Sequence, residues 1–560
     1  MLKWVSWTRR MKMSPENAEA TYEENPVHSS SRGVLQLSQQ NAIYSKRSGE
    51  RKGRLFLATF FVTNLLLSTY FIDLWNTPNT VSHALPVLSF SHDKTLQIDR
   101  YAGWGADMSK VGDHFYSDKA PLPTLAVIPF YEAIKAVGLG TVGEKAARRF
   151  PIYILQSRGF ADWREFSHDE SVPVLILGSF LCGSLPFTLI VVLSFLRIRD
   201  RRPPLSPVVM VFMAFYGSLL FVFSGTYFNH LFAGLLLLLS YIALKEERLA
   251  LSGLFAGLSF LSEYTVGLVF PLWAVLILIN EKRIIKSISF MAGALPSLVF
   301  IAMYNYMITG KPFVMLNAFH TAFGRELSHN YGFRSPTLTS LWGLSFSGAM
   351  GLFVFAPVLI IAAFYLLKLC LKKSYIARLP VDYLAVFSLI FFLVIASFFT
   401  WWGGWSYGPR YLIVLAVLLI YEGIELISRF CFRRSLYLAL TAYGIASAWI
   451  AKSTLVFMIP DSLLYSGQYS NTLFDVLLPE FLSRRFNSNS LPTLIFGVPP
   501  FLSVILWLAI FIISLVSLSY WHTNLLNGKV VLAAASADGA KAIGQAENCN
   551  NPACAPKFPK

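Results

Sequence analysis

Residues 172–202 read VPVLILGSFLCGSLPFTLIVVLSFLRIRDRR, and this stretch decides the fold. Residues 172–196 contain no Asp, Glu, Lys, Arg or His, and then Arg197, Arg199, Arg201 and Arg202 follow almost at once. A hydrocarbon core of roughly 30 Å takes about 20 apolar residues as a helix, so the run is long enough to span a bilayer. Arginines gathered at one end of a span mark its cytoplasmic side. The segment before residue 172 is therefore expected outside, and alternation orients everything after it.

Upstream, the first expected span runs from Leu55 to about Trp75. Residues 76–171 are too polar to cross as a whole and form a large first extracytoplasmic loop. Within it, 121–140 is apolar but carries Glu132 and Lys135; it could span or lie in the interface, and the charge pattern favours an interfacial helix. Downstream, spans are expected near 206–224, 226–244, 249–262, 264–281, 286–306, 346–368, 382–400, 410–428, 435–458 and 497–520. Basic clusters such as Lys282-Arg283, Lys372-Lys373 and Arg433-Arg434 fall on the inner side. The expected architecture is an all-α polytopic bundle over 55–520, with about twelve transmembrane helices and both termini inside. Residues 1–54 read as a disordered basic leader without a signal-peptide core, and 521–560 as a disordered tail.

Composition agrees. The chain has 560 residues, 55% hydrophobic and only 14% charged, with a mean hydropathy of +0.54. Soluble domains carry about a quarter charged residues. The net charge of +16 comes from clusters between apolar runs, so it reports topology rather than a nucleic-acid surface. None of Cys182, Cys370, Cys431, Cys549 and Cys554 falls in an expected outer loop, so no structural disulfide is expected. No metal-ligand set is visible, and no internal repeat.

On this topology the unusual polar residues share the outer face. The first loop carries Asp99-Arg100-Tyr101 and Tyr116-Ser117-Asp118-Lys119. The next hairpin tips carry Asn229-His230 and Glu263-Tyr264. The outer loops 307–345, 401–409 and 459–496 add His320, Trp405, Tyr407, Asp475 and Glu480, and Arg410-Tyr411 follows at a helix start. Ionisable groups at membrane depth are costly and usually face a cavity in which they act.

The string DRYAG (99–103) followed by DHFYSDKAPLPTLAVIPFY (113–131) resembles the first outer loop of lipid-linked-sugar glycosyltransferases of the GT-C fold. The resemblance is to bacterial proteins of glycosyltransferase family 39, the protein O-mannosyltransferase group. GTYFNHLFAGLLLLLSYIAL (225–244), GLFAGLSFLSEYTVGLVF (253–270), YNYMITGKPF (304–313) and WWGGWSYGPRYL (401–412) resemble that group in the same order, so the likeness covers roughly 55–430. It implies transfer of a sugar, mannose or similar, from a polyprenyl-phosphate carrier to an extracytoplasmic glycan, lipid or protein, at a bacterial inner membrane. It implies Asp99 as the base on the acceptor hydroxyl, with Asp73, Asp107, Asp113 and Asp118 as alternatives. The group tends to show an Asp-Glu pair where this chain has Asp99-Arg100. By the same resemblance Lys119 contacts the carrier phosphate, and Arg410 with Tyr411 lies near the lipid. Tyr116, Asp118, Asn229, His230, Glu263, Trp405 and Tyr407 are candidate substrate contacts. Neither a cofactor nor nucleic acid is implied; oligosaccharide-transferring relatives use a divalent metal, and the mannosyltransferase-like ones need not.

The residue types suit that chemistry. A carboxylate can take the proton of a poor hydroxyl nucleophile, and Lys or Arg can hold the departing phosphate in a low-dielectric pocket. Each residue also has a plainer role: Asp99 as a loop cap, Lys119 as a snorkelling side chain, His230 as a helix-start neighbour, Glu263 at a wet turn, and Arg410 as an interface anchor. A flippase of lipid-linked saccharide is the competing function, and mid-span charges, which it would need, are scarce. A non-catalytic membrane scaffold is the third.

Overall fold

The computed structural model describes residues 50–74, 77–105, 107–138, 169–328, 330–370, 382–404, 406–430, 432–454, 471–486 and 489–549. The expected leader up to residue 49, Trp405, and positions 459–470 and 487–488 of the loop 459–496 lie outside them. The chain is mostly helical, and residues 56–530 form one contact-dense body.

Five helices are long and apolar enough to cross a membrane: Val172–Ile198, Tyr264–Glu281, Ile284–Thr309, Arg410–Ser428 and Pro500–Gly528. Shorter apolar helices are Pro207–Tyr216, His230–Lys245, Leu249–Phe260, Val358–Lys368 and Tyr383–Ala396. In chain order we label 50–69 α1, Pro78–Asp93 α2, Leu122–Ala136 α3, Val172–Ile198 α4, Pro207–Tyr216 α5, His230–Lys245 α6, Leu249–Phe260 α7, Tyr264–Glu281 α8 and Ile284–Thr309 α9. Then come Leu338–Ser345 as α10, Val358–Cys370 as α11, Tyr383–Ala396 as α12, Arg410–Ser428 as α13, Arg434–Ser453 as α14 and Pro500–Cys549 as α15.

Two differences from the sequence reading stand out. The expected span 346–368 is broken, with a short helix Leu352–Phe355 before α11. Pro357 explains part of this, because the residue before a proline is pushed out of the helical region. At the other end, α15 continues to Cys549 rather than stopping near 520. Its last stretch is rich in Ala, a strong helix former.

The bundle core is aromatic where α1, α5 and α15 meet. Trp507 stacks on Phe221 at 4.9 Å and on Phe511 at 5.2 Å, and its Nε1 donates to the Leu67 carbonyl at 3.1 Å. Helices α7 and α9 approach backbone to backbone. A Cβ on Gly253 would lie 1.8 Å from the Phe290 carbonyl oxygen, and one on Gly293 would lie 1.9 Å from that of Ala250. Small residues at facing positions permit this packing between apolar helices.

A separate small core underlies the first loop. Val81, Leu85 and Leu88 of α2 pack with Val127 and Tyr131 of α3, Val174 and Leu175 of α4, and Tyr227. Thr77 caps α2 by accepting from Thr80 N–H, with Pro78 in the first turn, where its missing donor costs nothing. Helix α3 has 15 residues, about 22 Å at ~1.5 Å per residue, and is too short to cross alone. It buries Thr124, Val127, Ile128 and Tyr131 and exposes Phe130, and Val137 just past its end is exposed too. Between α2 and α3 a two-stranded hairpin pairs Met108–Val111 (β1) with His114–Ser117 (β2). Gly112 turns it at φ +61°, a conformation that favours glycine. Asp118 and Lys119 follow directly from β2.

Candidate functional site

A cavity of about 880 Å³ opens among the first loop, the starts of α6 and α13, the α7–α8 turn and the loop 313–333. Of the residues singled out in the sequence, Asp118, Lys119, Asn229, His230, Glu263, Arg410 and Tyr411 line it together. Those residues are spread over nearly three hundred positions, so only the tertiary fold unites them.

Lys119 is the centre of the polar end. Its Nζ lies 2.8 Å from Asp107 Oδ2 and 3.0 Å from Asp118 Oδ2. Ser82 of α2 fixes this turn: its hydroxyl donates to the Asp107 carbonyl at 2.6 Å and lies 3.2 Å from Asp118 Oδ1. The Tyr264 hydroxyl donates to the Lys119 carbonyl at 3.4 Å. His320 comes from the far loop, which the hairpin holds through Thr321 N–H to Met108 O (2.8 Å) and Ser109 Oγ to Leu316 O (2.6 Å). His320 Nδ1 accepts from the N–H groups of Ala322 and Phe323, which leaves Nε2 as the protonated nitrogen. That Nε2 stands 3.8 Å from Asp107 Oδ1 and 3.9 Å from Asp118 Oδ2.

Burial alone would raise the pKa of Asp107, but Lys119 and His320 outweigh it and hold the carboxyl far below its usual range. Burial raises Asp118; Lys119 pulls it back, and the neighbouring Asp107 charge adds to the rise. Two carboxylates sharing one cation are thereby split, one firmly ionised and one closer to protonation. Burial works against the Lys119 charge, yet Asp107 and Asp118 push its pKa up.

Arg410 is held differently. Its guanidinium lies 5.5 Å from the ring centre of Phe228 and 5.2 Å from that of Tyr411. Among the described residues it makes no ion pair, and its buried Nε has no hydrogen-bond partner. Gly403, at φ +83°, leaves room for it: a Cβ there would lie 2.9 Å from Arg410 Cγ. Arg410 adds to the positive field at Lys119. One stretch of the wall is apolar: Phe313, Phe323, Phe333, Ile395, Phe398 and Phe399 line it, and Phe313 is 84% exposed.

Three candidates stand apart from the cavity. Asp99 opens a short 3-10 turn, where Oδ1 accepts from Phe115 N–H at 2.6 Å and Oδ2 contacts His114 Nδ1 at 2.8 Å. Burial works against its charge, but those two contacts together outweigh it and lower its pKa. Asp99 thus ties the turn to β2, on the loop's outer surface. The Tyr116 hydroxyl accepts from Gln97 Nε2 at 3.1 Å. Tyr407 is buried edge-on against Phe355 at 4.6 Å, with its hydroxyl 2.8 Å from Ser447 Oγ. Of the alternative carboxylates, Asp113 sits exposed at the hairpin turn, and Asp107 and Asp118 line the cavity. Asn317 and Thr265 also line it and were not singled out; a lone Asn or Thr carries no sequence signal of its own.

Among the described residues no group of three or more His, Cys, Asp or Glu is placed to hold a metal ion. Cys182 is free and buried; the side chains of the other four cysteines lie outside the described residues. Comparison with protein families, curated proteins and solved structures gives no match to this chain.

Proposed function

We propose that the chain is a membrane glycosyltransferase that moves a sugar from a polyprenyl-phosphate carrier to an extracytoplasmic acceptor. One observation carries the reading: Arg410, a guanidinium without an ion pair, lies on two aromatic faces beside Lys119, where a polar pocket meets an apolar wall. A half-buried cation with an unpartnered Nε calls for an anion, and a planar guanidinium suits a phosphate oxygen pair. The adjoining phenylalanines suit the hydrocarbon of a lipid chain. A phosphate on a long apolar tail satisfies both halves of the cavity, and a soluble nucleotide satisfies only one.

On this reading Arg410 and Lys119 hold the carrier phosphate and stabilise the charge it gains as the sugar leaves. Asp107 and Asp118 keep Lys119 charged and in place. The sugar occupies the polar end, near Asn229, Glu263 and Thr265. We also take the bundle to have about twelve spans in the bacterial inner membrane, with the cavity on the extracytoplasmic face, because the Arg197–Arg202 cluster lies at the other end of α4.

The test is transfer from tritium-labelled mannosyl undecaprenyl phosphate, and from other labelled polyprenyl-phosphate sugars, to cell-envelope acceptors in proteoliposomes. The wild-type chain moves label, Arg410→Ala binds donor more weakly, and Asp99→Asn keeps transfer. If the wild-type chain moves no label from any donor while labelled donor crosses the bilayer, the protein is a flippase and the transferase reading falls.

A further inference from the structure

The cavity holds a second cluster that the anion site leaves unused. His230 opens α6, and its Nδ1 lies 2.8 Å from Glu263 Oε2. Glu263 is itself fixed: Asn229 Nδ2 donates to Oε2 at 2.8 Å, and the Thr265 hydroxyl donates to Oε1 at 3.1 Å. Asn229 is anchored in turn, by a 2.6 Å hydrogen bond to the Ser262 carbonyl. Burial disfavours the ionised form of Glu263, but His230, Thr265 and Asn229 outweigh it, so its pKa falls below the usual carboxylate range. Facing an ionised carboxylate, Nδ1 is the nitrogen that carries the proton, an assignment made from this contact. Nε2 then has a lone pair to offer. It is buried and without a hydrogen-bond partner, on a residue only 3% exposed in the cavity wall.

We propose that His230 is the general base of the transfer, taking the acceptor hydroxyl's proton at Nε2 while Glu263 steadies the resulting imidazolium. The inference rests on the transferase reading. His230 and Arg410 pack on the same two rings, Phe228 and Tyr411, so the proton acceptor stands beside the anion site. The carboxylates compete poorly for this role. Asp107 and Asp118 both engage Lys119, and Asp99 lies outside the cavity. The ionisable groups around His230 are Glu263, Arg410 and Tyr411, with His83 behind.

The step balances. The acceptor oxygen forms a bond to the anomeric carbon as that carbon's bond to the phosphate oxygen breaks. The bonding pair leaves with the lipid phosphate, whose new charge faces Arg410 and Lys119. The hydroxyl proton passes to His230 Nε2 and later to water.

The test uses the full chain in proteoliposomes with whichever labelled donor the wild type accepts. His230→Gln keeps a polar side chain of similar reach but accepts no proton at this pH. It should lower kcat by about 10²–10⁴-fold while KM for the donor stays within a few-fold. His230→Ala should fall as far and recover in part with added imidazole, which a merely structural role would not allow. Glu263→Gln, which keeps the size, should lower kcat without abolishing donor binding, and it decides the matter if the His230 variants fail to fold. If His230→Gln transfers at the wild-type rate, or His230→Ala folds, binds donor and gains nothing from imidazole, the base lies elsewhere and the transferase reading survives. If the wild type transfers no label, both fall together.

Discussion

Removing the Lys119 ammonium should damage the fold before it damages any chemistry, in a way that pH reverses. Lys119→Ala leaves Asp107 and Asp118 facing each other with their shared cation gone. The three side chains are 17%, 24% and 9% exposed, so solvent screens them little. Breaking a buried ion pair from one side costs about 3–5 kcal/mol, which should lower the melting temperature by several degrees. Folded Asp107 has a depressed pKa and Lys119 a raised one, so in the wild type their contribution is complete from about pH 4 to 10. In Lys119→Ala the carboxyls instead hold raised pKa values. They take up protons in the folded state as pH falls towards 5, and the deficit against wild type should shrink. Melting of purified protein in detergent, followed by tryptophan fluorescence at pH 8 and pH 5, measures both effects. The triple variant Lys119→Met, Asp107→Asn, Asp118→Asn should regain most of the stability and none of the donor binding. A Lys119→Ala deficit that is absent, or that is equal at both pH values, would refute the reasoning.

Arg410→Ala should weaken donor binding about 10–100-fold, the loss of a charge-assisted hydrogen bond of roughly 1.5–3 kcal/mol, with the melting temperature nearly unchanged, since no ion pair is broken. His83 is fully buried and its pKa is pushed down to about 3, first by burial and then by Lys119 and His230. The unfolded chain therefore binds a proton below about pH 6.5 that the folded chain refuses, and stability should fall by about 1.4 kcal/mol per unit over that range. His83→Leu should flatten that part of the pH–stability curve, and an unchanged slope would show that His83 titrates normally. Gly253→Ala should destabilise by about 1–3 kcal/mol or more, because its new Cβ would meet the Phe290 carbonyl at 1.8 Å; unfolding in detergent reads this directly.

The bundle was legible because apolar runs and arginine clusters report directly on the solvent each segment prefers. Residues 172–202 show it: the apolar run became Val172–Ile198, with Arg199, Arg201 and Arg202 just past its end. The cavity was legible in part as a set of polar motifs, since Asp118-Lys119, Asn229-His230, Glu263 and Arg410-Tyr411, which stand out beside long apolar runs, line it together. What the sequence could not supply was direction. Asp99 and Asp107 lie in the same loop and look alike as letters, yet one faces the β2 backbone and the other faces Lys119. The difference lies in a 3-10 turn and a two-residue hairpin, whose geometry no period or spacing encodes. His320 stood out as a polar residue of its loop but its neighbours did not, because only backbone pairing of that loop with β1 brings it near the two aspartates.

The cavity's lining runs from Thr77 near the start of the body to Tyr411 at α13. During synthesis the turn bearing Lys119 emerges early, yet Arg410 arrives only after ten more of the labelled helices, α3 to α12, have been made. For most of its time on the ribosome the nascent chain carries an acidic-basic turn with no partner arginine and no closed pocket. A chain cut short anywhere before α13 therefore lacks Arg410 and one wall of the cavity, and the pocket exists only once most of the body has been made.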